Sequence, residues 1–299
     1  MRVTVCQTAP KLLDVDYNLN SILECIEAAK EDSSDLVVFP ELALTGYFVG
    51  KHYHRAARSL DSKEIQAIVG ASKGTAVVVG FIEESRSMNF YNSAIVAQGG
   101  ELLSTYRKLN LPNYGVFEER KYFSPGKRVP VFNLNGFNVA VFICNDMWHP
   151  SIPYLGICQQ ADIFIAIFNS SQGSMGSEFS NIESWNIINT FYSRIFGVYS
   201  VCANRVGEDV WKESRSMFSK ETEAMGNGND DLTEDYRFWG GSSVINPFGQ
   251  ELVRARYYEE DTIIAEISRD ILRKKRILLP YLRNDDPYFA YRELQRILY

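Results

Sequence analysis

The length, composition and charge of the chain limit the classes of protein it can belong to. Its 299 residues can bury the core of one large domain or two ordinary ones. The 31 basic and 37 acidic residues give a formal net charge of −6. Nucleic-acid-binding proteins present a basic face, so we expect no nucleic-acid partner. No apolar run approaches the roughly 20 residues of a membrane-spanning helix, so we expect no membrane partner.

The N-terminus and the cysteines favour a cytoplasmic protein. Residues 1–6 have the pattern of a strand, and they lack the long apolar region and small-residue cleavage site of a signal peptide. The five cysteines are odd in number, irregularly spaced and include no CxxC pair. Such cysteines are typical of reduced thiols rather than of the disulfide framework of a secreted protein.

Strand and helix signals alternate along the chain. Short apolar runs predict strands over residues 2–8, 35–40, 75–83, 91–97, 101–106, 137–144, 162–168 and 198–204, with two or three more between 240 and 267. Apolar residues at helical spacing predict helices over residues 17–30, 62–73, 151–161, 181–196 and 269–277. Helices interspersed with continuous apolar strands and one hairpin are typical of layered α/β proteins with mixed sheets. We therefore predict one α/β domain over residues 1–285, followed by a tail over 286–299.

Two segments differ in character from the rest of the chain. Residues 208–237 are rich in charged and small polar residues and show no periodicity, which is typical of a functional loop or of a disordered one. The basic run from Arg273 to Arg276 lies in a predicted helix. We interpret this run as a solvated helix face rather than as a site for a polyanion.

Glu41, Lys108 and Cys144 each come at the end of a predicted strand, which is where α/β proteins build their sites. A thiol can form a thioester with an acyl group, and a carboxylate that takes the thiol proton can return it to a leaving amine. An ammonium can stabilise the oxyanion of the tetrahedral intermediate, and it would also lower the pKa of Cys144. These three groups predict a C–N bond hydrolase or acyl transferase that uses no metal and no cofactor.

Other interpretations of the same residues stay open at this point. Each residue alone is also compatible with a plain structural role, as a small buried cysteine, a solvated glutamate or a surface lysine. A Cys–His enzyme would use His149, but a position before proline favours a turn. A metal at His52 and His54 would lack further ligands nearby. A catalytically silent binding module is the alternative from another functional class.

Longer motifs around these positions resemble the nitrilase superfamily of carbon–nitrogen hydrolases. Residues 39–47, FPELALTGY, are similar to the family's catalytic-glutamate motif. Residues 106–126 resemble its catalytic-lysine motif and the segment with a second glutamate, and residues 144–150, CNDMWHP, resemble its nucleophile motif. Residues 204–207 and 238–243 are similar to two later signatures. Several long motifs in the family's order, over nearly the whole chain, form a specific signal.

The resemblance implies a fold and a role for each site residue. The implied fold is a four-layer α-β-β-α sandwich with two mixed sheets, which assembles into a homodimer or a higher homo-oligomer. We expect the tail 286–299 to contribute to that contact. Glu41 would be the general base, Lys108 the oxyanion stabiliser and Cys144 the nucleophile. Glu119 would be the second glutamate, which orients the lysine and contacts the substrate or its leaving group.

The residue after the nucleophile distinguishes branches of this family. Nitrile-cleaving members typically carry Trp there, and the amidase and glutaminase branches often carry an acidic residue, whereas this chain has Asn145. We therefore expect a small amide or N-carbamoyl substrate, cleaved through a cysteine thioester with release of ammonia or an amine. Nitrile hydrolysis and glutaminase-type acyl transfer are the alternatives. Residues expected to line the substrate pocket are Tyr47, Tyr114, Asn145, Trp148, Asn169 and Phe238.

Overall fold

The computed structural model describes residues 1–172, 179–209 and 237–299. Its strands are β1 (Arg2–Gln7), β2 (Leu36–Val38), β3 (Ala76–Glu84), β4 (Phe90–Gln98), β5 (Glu101–Arg107), β6 (Val131–Leu134), β7 (Phe137–Ile143), β8 (Ile163–Phe168), β9 (Tyr199–Asn204), β10 (Val206–Gly207), β11 (Phe238–Trp239), β12 (Ser243–Ile245), β13 (Glu251–Arg254) and β14 (Asp261–Glu266). Its α-helices are α1 (Val15–Glu31), α2 (Tyr53–Ala56), α3 (Lys63–Ala71), α4 (Ser151–Cys158), α5 (Asn181–Phe196), α6 (Arg269–Leu278), α7 (Tyr281–Asn284) and α8 (Pro287–Leu298).

Two six-stranded sheets form the centre of the molecule. One has the strand order β14-β1-β2-β3-β4-β5, and the other has the order β13-β12-β9-β8-β7-β6. In the first sheet β1, β2 and β3 are parallel, and the remaining neighbours are antiparallel. In the second sheet β7, β8 and β9 are parallel, and β6, β12 and β13 complete it through antiparallel pairings. Both sheets are therefore mixed, as the sequence predicts.

The alternation of side chains along the strands produces the layers. Val3 and Val5 of β1 belong to the core cluster that also contains strands of the second sheet. Cys6 faces the other way, into a cluster with the apolar side of α1 and α3, because successive residues of a strand point to opposite faces. Trp185 of α5 and Ile152 of α4 belong to the same apolar cluster as the strands of the second sheet. The predicted four-layer α-β-β-α sandwich is confirmed.

Some elements differ from the sequence prediction. Strand β6 has four residues, too few for a clear period, and was not predicted. The predicted tail over 286–299, for which no element was predicted, contains helix α8. The basic run is only partly solvated: Lys275 is buried and donates to the carbonyl of Arg194, 2.8 Å away, at the end of α5. A cation there offsets the negative end of the helix dipole. The loop predicted over 208–237 lies largely outside the described residues, which stop at Asp209 and resume at residue 237.

No helix among the described residues is both long and apolar enough to cross a membrane.

Candidate active site

Strand direction brings the predicted catalytic residues to one edge of the sandwich. Strand β5 is antiparallel to β4, and β4 is antiparallel to β3, so β5 runs in the same direction as β2 and β3. The C-terminal ends of β2 and β5, which precede Glu41 and Lys108, therefore lie on the same side of the first sheet. The parallel strands β7 and β8 present Cys144 and Asn169 from the second sheet. The backbone N–H of Asn169 donates to Glu41 Oε2 at 2.8 Å and so joins the two sheets at this point.

Glu41 lies in a tight turn that depends on a glycine in the neighbouring strand. Leu42, directly after it, has a left-handed φ of 49°. A Cβ atom on Gly80 of β3 would lie 2.4 Å from the backbone nitrogen of Leu42 and 2.7 Å from the carbonyl oxygen of Pro40. Only glycine permits this close approach. The turn lies within the sequence motif of residues 39–47. Gly80 lies outside that motif, and the fold brings it against the turn.

The Glu41 carboxylate is buried and fully hydrogen-bonded. Its Oε1 accepts from Asn92 Nδ2 at 2.7 Å and from Lys108 Nζ at 2.8 Å, while its Oε2 accepts from the backbone of Asn169. Both Glu41 and Lys108 are 0% exposed. Buried charges are tolerated when they are paired and hydrogen-bonded in this way, and the contacts fix the direction of each group.

Lys108 bridges two carboxylates. Its Nζ also donates to Glu119 Oε1 at 2.6 Å, and the hydroxyl of Tyr47 donates to the same oxygen at 2.6 Å. Burial alone would lower the pKa of Lys108, but the Glu119 and Glu41 carboxylates outweigh it and hold that pKa well above its usual value. Burial raises the pKa of Glu119 to about 7, against the lowering effect of Lys108. Glu118, which the motif disfavours, instead pairs with Lys121 at the surface.

Cys144 begins a 3₁₀ helix directly after β7 and adopts a left-handed φ of 47°. This conformation is strained for a residue other than glycine and is typical of functional positions. The pKa of Cys144 is raised, first by burial and then by the nearby Glu41 carboxylate, and the lowering effect of Lys108 is smaller. The expectation of a lowered pKa for Cys144 is therefore wrong, because burial raises it and the charges of Glu41 and Glu119 add to that effect.

Asp146 connects the lysine segment to the cysteine turn. Its buried carboxylate accepts from the Tyr106 hydroxyl at 2.7 Å and from the backbone N–H groups of Asn110 at 2.7 Å and Leu109 at 3.1 Å. It also accepts from the N–H of Ile143 at 3.4 Å. Burial raises the pKa of Asp146 to about 6. The sequence analysis did not single out this residue, although it is an acidic residue two positions after the proposed nucleophile.

A cavity of about 120 Å³ lies beside Cys144 and opens to solvent. Four of the predicted substrate-binding residues line it, namely Tyr114, Asn145, Trp148 and Asn169. The lining residues that the sequence analysis missed are Pro112, Phe117, Ser170, Phe179, Asn181 and Trp185. Their positions depend on tertiary packing: Trp185, for example, stacks on Phe168 with ring centroids 4.0 Å apart.

The other two predicted pocket residues lie elsewhere. Tyr47 is buried behind Glu119, to which it donates a hydrogen bond. Phe238 is buried, with its ring centroid 6.5 Å from that of Tyr47 and beneath the guanidinium of Arg205. Neither is among the described residues that line the cavity. Tyr47 therefore contacts the predicted catalytic group Glu119 directly, and Phe238 packs behind Tyr47.

The two later motifs support the strand end that carries Asn169. The side chain of Asn204 accepts from the N–H of Ser170 at 2.9 Å, and the indole N–H of Trp239 donates to Ser170 Oγ at 3.0 Å. Arg205 is buried and pairs with Asp209, whose carboxylate also accepts the N–H of Tyr47 at 2.8 Å. These motifs therefore contact the neighbours of the predicted catalytic groups, namely Ser170 and Tyr47.

The competing chemistries find little support in the geometry. His149 is exposed at the end of the 3₁₀ helix, where its backbone N–H donates to the carbonyl of Asp146. Within the described parts of the chain, no three His, Cys, Asp or Glu side chains form a group that could hold a metal ion. All five cysteines are free. The site instead combines a protonated thiol, a hydrogen-bonded carboxylate and a buried ammonium.

Comparison with known proteins identifies the family. The family model for carbon–nitrogen hydrolases matches residues 2–276. The chain belongs to the carbon–nitrogen hydrolase family. Its relatives in that family include the glutamine-dependent NAD(+) synthetase of Thermotoga maritima, 29% identical over 90% of this chain and 42% of the synthetase. The N-carbamoylputrescine amidase of Solanum tuberosum is 25% identical over 88% of this chain and 85% of the amidase.

Solved structures show the same carbon–nitrogen hydrolase fold. A mutant of the amidase of Nesterenkonia AN1, from the nitrilase superfamily, aligns with a TM-score of 0.75 at 19% identity and covers 98% of this chain and 97% of that one. The glutamine-dependent NAD+ synthetase of Acinetobacter baumannii aligns with a TM-score of 0.73 at 27% identity, over 91% of this chain and 46% of that one. The chain thus spans less than half the length of these two synthetases.

Proposed function

We propose that this carbon–nitrogen hydrolase cleaves the C–N bond of a small amide or N-carbamoyl compound through a thioester on Cys144. The observation that supports this most directly is the contact of Glu41 with Lys108, both buried beside the thiol. The raised pKa of Cys144 means that the thiol carries its proton at neutral pH. A nearby base must then accept that proton during the attack, and Glu41 is suited to this role.

Glu41, Lys108, Cys144 and water account for every bond and proton in the proposed reaction. As Sγ of Cys144 attacks the carbonyl carbon, its proton passes to Glu41, and the oxyanion forms beside the Lys108 ammonium. Glu41 then gives the proton to the leaving nitrogen, the C–N bond breaks, and ammonia or an amine departs to leave the thioester. A water molecule gives a proton to Glu41 as it attacks the thioester, and that proton returns to Sγ as the acid is released.

Hydrolysis of glutamine is the second candidate, because the synthetase relatives are matched over nearly all of this chain. Two features count against it. Asn145 stands where the glutaminase branch often carries an acidic residue. Among the described residues that line the cavity, none is Asp, Glu, Lys or Arg, whereas the ammonium and carboxylate of glutamine would need charged or strongly polar partners. A neutral amide or carbamoyl compound fits this lining better.

Ammonia release from a panel of compounds tests the proposal. The panel contains aliphatic amides, N-alkylureas, the nitriles matched to those amides, and glutamine. We expect the highest kcat/KM for an amide or a urea, and we expect Glu41→Gln to lower it by roughly 10²–10⁴-fold. A preference for nitriles across matched pairs, or for glutamine over every neutral compound, would contradict the proposed substrate class. The ratio of hydrolysis product to hydroxylamine adduct, measured with hydroxylamine present, separates hydrolysis from acyl transfer.

A further inference from the structure

Asn169 carries a buried amide whose polar atoms are unused. Its side chain lines the cavity beside Cys144, and the residue is 1% exposed. The backbone N–H of Asn169 donates to Glu41, but neither Oδ1 nor Nδ2 of the side chain has a hydrogen-bond partner among the described residues. Buried polar groups are normally paired, and an unpaired one in a native site calls for an explanation.

Two other polar residues of the cavity lining, Ser170 and Asn145, have hydrogen-bond partners. Ser170 bonds to Asn204 through its backbone and to Trp239 through its hydroxyl. Across the cavity, Asn145 accepts from the Tyr114 hydroxyl at 2.9 Å and donates to the carbonyl of Asn110 at 3.3 Å. Asn145 and Asn169 therefore line the same cavity, but within the described parts of the chain only the amide of Asn145 has hydrogen-bond partners.

The scissile group does not need the Asn169 side chain. In the proposed reaction the carbonyl oxygen faces Lys108 and the leaving nitrogen faces Glu41. The unused amide is left for atoms on the other side of the scissile carbon. A plain aliphatic amide has only CH₂ there, whereas an N-carbamoyl compound has an N–H, which can donate to an amide oxygen.

We propose that Asn169 is a specificity-determining residue that accepts, through Oδ1, the N–H next to the scissile carbonyl of an N-carbamoyl substrate. This inference rests on the proposed function and narrows it to ureido compounds. The aromatic groups of the lining, Trp148 and Trp185 among them, then contact the apolar part of the substrate.

A matched pair of substrates isolates this contact. N-propylurea and pentanamide have the same length and differ by N–H against CH₂ at the position in question. We expect Asn169→Leu to lower the ratio of kcat/KM for the urea over kcat/KM for the amide by at least about 10²-fold, because a site built to bond an N–H loses its discrimination without the acceptor. The matched control, Asn145→Ala, should leave this ratio unchanged even if both activities fall.

Thermal unfolding provides the second readout. Replacing an unpaired buried amide with an apolar group of similar size should leave the Tm unchanged or raise it. An unchanged ratio of the two kcat/KM values in a folded Asn169→Leu variant would overturn the inference. A lowered Tm with equal losses of kcat/KM on both substrates would also overturn it, because that result indicates a structural role. If the wild type turns over neither substrate, nor any other amide, urea or carbamoyl compound, the proposed function itself fails.

Discussion

At the scale of single residues, the buried charges make the stability of the protein depend on pH. The pKa of Glu119 is about 7 in the folded protein, against a usual value of 4.5. The folded state therefore binds this proton more tightly than the unfolded state does. The stability that Glu119 contributes is fully present below pH 4.5 and is lost as the pH rises through 7.

We expect the free energy of unfolding of the wild type, relative to that of Glu119→Gln, to fall between pH 4.5 and about pH 7. Urea unfolding at several pH values measures this difference. The control is Glu118→Gln, since Glu118 pairs with Lys121 at the surface, and it should leave the pH dependence of stability as in the wild type. A difference between the two proteins that stays constant above about pH 4.5 would show that Glu119 stays ionised in the folded protein.

The sequence was informative about which residues converge and uninformative about their ionisation. Glu41, Lys108 and Cys144 could be predicted because each follows an apolar strand within a long motif. The raised pKa of Cys144 could not, because it results from burial and from carboxylates that only the fold brings near. Gly80 and Asp146 were missed for a related reason: each acts by contact with another element, which no local pattern records.

At the scale of elements, Asp146 holds the turn after β7 against the end of β5. Its carboxylate bonds three groups between residues 106 and 110 and thereby sets Lys108 relative to Cys144. We expect Asp146→Asn to lower kcat by about 10²-fold with little change in KM, because small misplacements of reacting groups cost rates of that order.

Asp162→Asn is the matched control for this element. Asp162 is also buried, accepts the N–H of Asn138 at 2.9 Å and pairs with Arg276 at 2.6 Å, but it precedes β8 at the far end from the site. Its replacement should lower the Tm and leave kcat unchanged. If Asp146→Asn keeps the wild-type kcat, or if both variants lose activity equally, the link between this carboxylate and the catalytic geometry is wrong.

Elements with a strong period were predictable, and some of the short or terminal ones were not. Helix α1 was predicted over 17–30 and spans Val15–Glu31, because its apolar residues recur at helical spacing. Strand β6 is too short for alternation to be visible. Helix α8 has apolar residues on an exposed surface, so the sequence pattern of the tail did not distinguish a helix from a chain without regular structure.

At the scale of the whole molecule, α8 presents an apolar surface that the described chain leaves uncovered. None of its residues is buried, and the exposed apolar side chains are Tyr288, Phe289, Tyr291, Leu294, Ile297 and Leu298. Large exposed apolar surfaces mark interaction sites. We propose that this helix packs against a second copy of the chain.

Removal of residues 286–299 tests this proposal by light scattering after size exclusion. We expect the full chain to form a dimer or a larger assembly. The assembly of the shortened chain should contain fewer copies. Leu252→Ser alters an exposed apolar residue on β13 and should leave the mass unchanged. Equal assembly states for the full and shortened chains would exclude the tail as the contact.

The most direct test of the account is detection of the acyl group on Cys144. The enzyme is mixed with a substrate that it turns over and quenched in acid within one turnover, and the cysteine peptides are then mapped by mass spectrometry. We predict a mass increase equal to the acyl or carbamoyl group on the Cys144 peptide alone, with one equivalent of ammonia or amine released, and none in Cys144→Ala. Turnover by the Cys144→Ala variant, or an adduct on another cysteine, would contradict the account.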